Sequence, residues 1–159
     1  MAADARAIAS VMAAVVAERV YSAVDVAWTP DEQRQFLENL NPREAVHVAE
    51  DDASSIVGLQ ILERWSAVLP SMAHVGQIGT FVLPGWRGRG TGRRLWDTTL
   101  AFAGHAGYRK FVIQVRASNL PAQAFYRSLA FEPCGRLTRQ VVIDGLDDDE
   151  ILMERFVHS

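Results

Sequence analysis

The sequence predicts an α/β (α+β) fold: a mixed, mostly antiparallel sheet of about six strands flanked by about four helices. Three observations carry the prediction. Hydrophobic spacing switches between helical and strand periods along the chain, in the order α-α-β-β-β-α-β-α-β-β. A glycine- and arginine-rich stretch, Val82 to Leu95, separates a strand-like run from a helix-like one. The 159 residues, 49% of them hydrophobic, fit one well-cored domain, residues 1–159.

Taken in order, Ile8, Val11, Met12, Val15 and Val16 share one face of a helix from Asp4 to about Val20. Thr29-Pro30-Asp31-Glu32 is a capping box with proline at the first helical position, so a short helix runs to about Leu40 with Phe36, Leu37 and Leu40 inward. Glu44 to Glu50 alternates around Val46 and Val48 and reads as a strand, and Asp51-Asp52 as a turn. Ser55 to Arg64 is its antiparallel partner, and Trp65 to Ser71 a loop. Ala73 to Leu83 is the next strand, ending at Pro84. The helix that follows carries Leu95, Thr99, Phe102 and Ala106 on one face, with Gly104 and Gly107 as end signals. Lys110 to Val115 is a β-branched, buried strand. A helix opens at Asn119, with Pro121 in its first turn. Phe131 to Ile143 and Glu150 to Val157 are strands joined by an Asp144-Gly145 hairpin turn, and the acidic run Asp147 to Glu150 reads as a solvated turn.

The glycine-rich stretch carries the chemistry. Gly88, Gly90 and Gly92 let a ligand approach the backbone closely. If Gly90 or Gly92 opens a helix, several main-chain N–H groups lack intrahelical partners and suit a phosphate. Arg87, Arg89, Arg93 and Arg94 add positive charge there. A P-loop would need a lysine that this stretch lacks, and the dinucleotide fingerprint needs a different third spacing.

What stands here is Arg87-Gly88-Arg89-Gly90-Thr91-Gly92, led in by Val82-Leu83-Pro84. It resembles the R/Q-x-x-G-x-G/A acyl-CoA loop of the GCN5-related N-acetyltransferases (GNAT). A second motif, Asn119 with Ala122, Phe125-Tyr126 and Leu129-Ala130-Phe131, resembles that family's N-x-x-A-x-x-x-Y-x-x-x-G-F segment. The resemblance covers about residues 4 to 157. It implies the acyl-CoA N-acyltransferase fold; only Met1 to Ala3 precede the first helix, so either the sheet lacks the family's first strand or the start of the natural chain is missing. It implies acetyl-CoA as co-substrate, no metal, and direct acetyl transfer to an amine on a small molecule or peptide. The acyl-CoA would lie against Phe81, Val82, Leu83, Arg87, Gly88, Arg89, Gly90, Thr91, Gly92, Arg93 and Asn119. The family's splay between the strands at Gln77–Leu83 and Lys110–Val115 would expose main chain near Phe81 and Val82. Tyr126 would be the general acid for the leaving thiolate, since an ordinary phenol titrates near 10. The family's central-strand glutamate is replaced by Gln77, which leaves His74 as the candidate base and Glu63 as its alternative. Ala130 replaces a usual glycine, and a relaxed turn is expected there. Tyr21 to Trp28 would shape the substrate mouth.

Composition restricts the alternatives. A net charge of −3 and the absence of interleaved stacking aromatics argue against nucleic acid as a partner. No apolar run is long enough for a membrane span, and with no secretory leader the cytoplasm is the expected compartment. Cys134 is the only cysteine and reads as a structural thiol; His47, His105 and His158 show no metal-ligand spacing. An exposed edge at the final strands is a candidate surface for homodimer pairing. A non-catalytic acyl-CoA-binding sensor or assembly module is the competing reading, motivated by Gln77.

Overall fold

The computed structural model describes residues 2–157; His158 lies outside them. A 3-10 turn, Ala2–Asp4, leads into α1 (Ala5–Ala17), followed by α2 (Pro30–Glu38), β1 (Ala45–Glu50), β2 (Ile56–Arg64) and β3 (Val75–Val82). Then come α3 (Thr91–His105), β4 (Lys110–Arg116), α4 (Leu120–Ser128), β5 (Glu132–Ile143) and β6 (Leu146–Phe156). The expected element order is observed. Among the described residues the six strands form one sheet in the order β1-β2-β3-β4-β6-β5, in which only the β3–β4 pairing is parallel.

Adjacent residues of each strand point to opposite faces, so the sheet has two cores. On one face Leu62, Ile78, Phe111, Ile113 and Met153 pack beneath α3 and α4. Trp96 of α3 is its anchor, 1% exposed and edge-on to Phe111 and Phe131 at centroid distances of 5.2 and 5.3 Å. Truncating such a side chain to alanine costs about 3–5 kcal/mol. On the other face Leu59 and Ile61 meet Ile8, Val11 and Met12 of α1, with Phe36 and Leu37 of α2 closing the edge.

Local chemistry accounts for the boundaries. α2 starts at the expected capping box: Thr29 accepts from Glu32 N, and Glu32 accepts from Thr29 N at 2.8 Å. α1 stops at Ala17 rather than Val20 because Arg19 turns left-handed, φ 63°. Its guanidinium is held there by Asp144, and its carbonyl by Arg116 Nη1 at 2.6 Å.

Two expectations need correction. β6 begins at Leu146, so the acidic run is strand and not turn. Asp144 and Gly145, at φ 52° and 77°, form the tight hairpin that pairs Ile143 directly with Leu146. The carboxylates are neutralised from neighbouring strands: Asp148 by Arg116 at 2.9 Å and Asp149 by Arg136 at 2.6 Å. Ala130 is left-handed, φ 61°, not relaxed, because it turns the chain sharply from α4 into β5.

The pairing that matters for function is the shortest. β3 meets β4 only at Val75–Lys110, Gly76–Phe111 and Gln77–Val112. Beyond Gln77, β3 continues to Val82 against β2, while β4 continues to Arg116 against β6. The two strands therefore part, and a gap opens beside residues 78–82.

Candidate functional site

The gap leads into a cavity of about 490 Å³. Its walls include Thr80 and Val82 from β3, Phe125 from α4 and Asn119 at its N-cap, Gly90 at the start of α3, and Tyr21 from the α1–α2 connection. A larger groove of about 720 Å³ lies between α1 and the β1–β2 turn and reaches Leu83, but no residue of the glycine turn or of α4 lines it. The smaller cavity is the one beside the motifs.

Gly90 caps α3 in the left-handed conformation, φ 81°, with no side-chain cap. The first bond back to it comes from Arg94 N, at 3.0 Å. The N–H groups of Thr91, Gly92 and Arg93 precede the first helical acceptor and form the positive end of the helix. Gly88, φ 72°, and Gly90 stand in open space, so a ligand can lie directly on this backbone. Gly92 is bare for a different reason. A Cβ there would lie 2.9 Å from the Phe125 ring, so the missing side chain lets α3 and α4 approach. Thr91 faces inward, 2% exposed.

The arginines divide their work. Arg87 is turned into the protein, donating to both Glu18 oxygens at 2.9 and 2.5 Å and to Val82 O at 2.9 Å. Its guanidinium lies 4.2 Å above the Tyr21 ring. It ties the end of α1 to the end of β3. Arg93 borders the cavity while donating to Ser128 O at 2.8 Å, and Arg89 stacks over Trp86. Of the strand residues, Val82 borders the cavity, whereas Phe81 and Leu83 pack on the α1 core.

Asn119 is 5% exposed and works on local backbone: Oδ1 accepts from Ala122 N at 3.1 Å and caps α4, and Nδ2 donates to Tyr21 O at 3.3 Å. Tyr126 is buried, and its hydroxyl donates to Thr80 Oγ1 at 2.8 Å. Burial pushes this phenol up to about 12, against the smaller opposing pull of the Thr80 bond. Thr80 Oγ1 also accepts from Gln60 Nε2 at 2.8 Å.

His74 precedes β3 at its paired end, where its carbonyl accepts from Arg109 N and Lys110 N. Six residues separate it from Thr80, about 20 Å of extended chain. Gln77 donates through Nε2 to Gln114 Oε1 at 3.3 Å, and Gln114 donates to Glu150 at 3.1 Å. Glu150 is 6% exposed; desolvation, with Asp148 adding to it, holds its carboxyl above the ordinary range despite the Gln114 bond. Glu63 is exposed on β2 opposite Gln77. Cys134 is exposed on edge strand β5, its thiol pushed up by desolvation and by Glu154. Among the described residues no cluster of three or more histidine, cysteine or acidic side chains could hold a metal ion.

The motifs thus converge on one cavity, but sequence reasoning missed Thr80, Gln60, Glu18 and Glu150. Thr80 did leave a signal, as a hydroxyl inside the apolar run that approaches the glycine turn. Glu18 left none, since 69 residues separate it from Arg87.

A model of the acetyltransferase (GNAT) family matches residues 12–131. N-alpha-acetyltransferase RimI of Mycobacterium tuberculosis is 34% identical over 102 residues, covering 64% of this chain and 61% of that protein. An uncharacterized protein of Mycobacterium leprae is 36% identical over 101 residues, covering 64% of this chain and 27% of that one. The match therefore spans less than two thirds of either relative. The structure of yncA from Salmonella typhimurium, solved with its cofactor acetyl-CoA, superposes with a TM-score of 0.90 at 19% identity, covering 100% of this chain and 91% of that one. At that identity the likeness is one of fold.

Proposed function

This chain belongs to the GNAT acetyltransferase family, and from that premise we propose that it is a single-domain, cytoplasmic N-acetyltransferase that moves acetyl from acetyl-CoA directly to the amine of a small molecule or peptide. One observation carries the reading. The uncapped start of α3 and the gap between β3 and β4 open into the same cavity. The first can hold a diphosphate, and the second an extended arm.

In this reading the N–H groups of Thr91, Gly92 and Arg93 bind the diphosphate, with Arg89 and Arg93 supplying charge. Arg87 holds the rim through three of its five N–H donors, on Glu18 and Val82, and borders the cavity with the rest. The amide-bearing arm lies along residues 78–82 like an added strand. The main-chain N–H of Val82, which faces away from β2, polarises the thioester carbonyl as charge develops on it. Asn119 keeps the mouth of α4 in place. His74, at the far end of β3, has no part in this mechanism.

Acetyl-CoA titration and thiol release over a panel of amines test the proposal. Wild type should show a thermal shift with acetyl-CoA and turnover with at least one amine. Gly90→Asp puts a carboxylate where the diphosphate would lie and should weaken acetyl-CoA binding at least about tenfold. Absence of any acetyl-CoA shift sinks the cofactor assignment. Binding without turnover would favour an acyl-CoA-binding module, the reading to which the Gln77–Gln114 amide pair lends some support. Pairing of two copies would use edge strand β5, but Pro133 and two register irregularities interrupt that edge.

A further inference from the structure

Thr80 lies on the stretch of β3 that has parted from β4 and borders the cavity. A hydroxyl oxygen has two lone pairs and one proton. Here both lone pairs are used, by Tyr126 Oη–H and by Gln60 Nε2–H, each at 2.8 Å. The remaining proton must point away from both donors. Gln60 is fully buried and Tyr126 nearly so, and the open side of Thr80 is the cavity.

We infer that the Thr80 hydroxyl is the hydrogen-bond donor that meets the leaving sulfur of the thioester, and that Tyr126 and Gln60 act through it as positioning residues. The inference rests on the acetyl-transfer reading and deepens it. The amine nitrogen bonds to the acetyl carbon, the C–S bond breaks, and its electron pair goes to sulfur, which leaves as thiolate. The amine gives its proton to water. Thr80 stabilises the charge growing on sulfur without surrendering its own proton, and water protonates the thiolate on release.

The acidity of Tyr126 supports a positioning role. Burial pushes its phenol up to about 12, so it holds its proton more tightly than an ordinary phenol does. Donating a hydrogen bond needs no proton transfer. Two bonds accepted by Thr80 also polarise its O–H, which strengthens the third.

The test uses the full chain, an amine that wild type acetylates, and thiol release to obtain kcat and KM. Thr80→Val keeps the shape and removes the donor. It should lower kcat about 100-fold, as loss of one such donor does, with KM for acetyl-CoA changed less than about threefold. Thr80→Ser restores the hydroxyl and should recover most of the rate. Tyr126→Phe should lower kcat about tenfold in wild type and add nothing in Thr80→Val, since its effect passes through the missing hydroxyl. Thr80→Ala replaces Thr80→Val if the latter loses its cooperative melt.

Three results would overturn the inference alone. The first is Thr80→Val retaining wild-type kcat. The second is Tyr126→Phe costing as much in Thr80→Val as in wild type. The third is Gln60→Leu raising kcat, because the amide carbonyl would then have been holding the Thr80 proton. Failure of wild type to acetylate any amine overturns the acetyl-transfer reading and this inference together.

Discussion

Gly92→Ala adds one methyl group where α3 and α4 leave no space for it. The new Cβ would stand 2.9 Å from Cζ and 3.0 Å from Cε2 of Phe125. Carbon atoms rest about 3.5–4.0 Å apart, so the ring has to retreat by roughly half an ångström or more. Tyr126 adjoins the ring at a centroid distance of 5.0 Å and the cavity borders it as well, so its retreat disturbs both. Overpacking of this kind costs about 1–3 kcal/mol. Alanine regains up to about 1 kcal/mol of helix propensity, and less in a first turn. The expected net loss is about 1–2 kcal/mol, or a fall of roughly 2–8 °C in Tm for a chain of this size. Urea unfolding gives the number. Phe125→Leu makes room for the methyl, so in that background Gly92→Ala should lose most of its penalty, a coupling of about 1 kcal/mol. Gly90→Ala is the control: it meets nothing within 4 Å, and its cost of about 1–2 kcal/mol comes from φ 81° and should be the same with or without Phe125. A Gly92→Ala penalty that survives Phe125→Leu unchanged would refute the packing argument.

Ala130→Gly should raise the urea midpoint, because it relieves about 1 kcal/mol of left-handed strain at φ 61°. Glu150 should make stability pH-dependent: its folded-state pKa is raised, so its contribution is present below the ordinary carboxylate range and lost as pH rises through the raised value. Glu150→Gln, which stays neutral, should therefore match wild type in acid and melt progressively higher than it as pH rises; parallel Tm–pH curves would contradict this. Arg87→Ala should cost about 1–3 kcal/mol by leaving Glu18 and Val82 O without their donor, and should raise the KM for acetyl-CoA by loosening the end of β3. Asp148→Asn should cost about 3 kcal/mol in urea unfolding, because Arg116 would be left nearly buried and unpaired.

Most of the fold was legible because its signals are local. Thr29 and Glu32 cap α2 within one turn of chain, and Asp144-Gly145 closes a hairpin by its own dihedrals. The illegible parts depend on partners far along the chain. Asp147 to Glu150 read as a solvated turn because four consecutive acids repel, and Arg116, Arg136 and Arg139 across the strands offset three of those charges. Ala130 read as relaxed because alanine disfavours the left-handed region; the chain reversal from α4 to β5 imposes it. The Arg87–Glu18 pair was illegible because 69 residues separate its members.

The glycine loop combines both kinds of information in six residues. Gly88 and Gly90 are bare for a local reason, their positive φ, and any reader of turn chemistry can find them. Gly92 is bare for a distant reason, the ring of Phe125 against its Cα. The two constraints serve one site. The turn at Gly90 leaves the α3 amides uncapped, and the contact at Gly92 brings α4 close beside them. α4 carries Tyr126, whose hydroxyl reaches Thr80 on the parted strand. A side chain at position 92 would therefore do more than crowd a helix. It would move the Tyr126–Thr80 hydroxyl pair relative to the uncapped amides of α3.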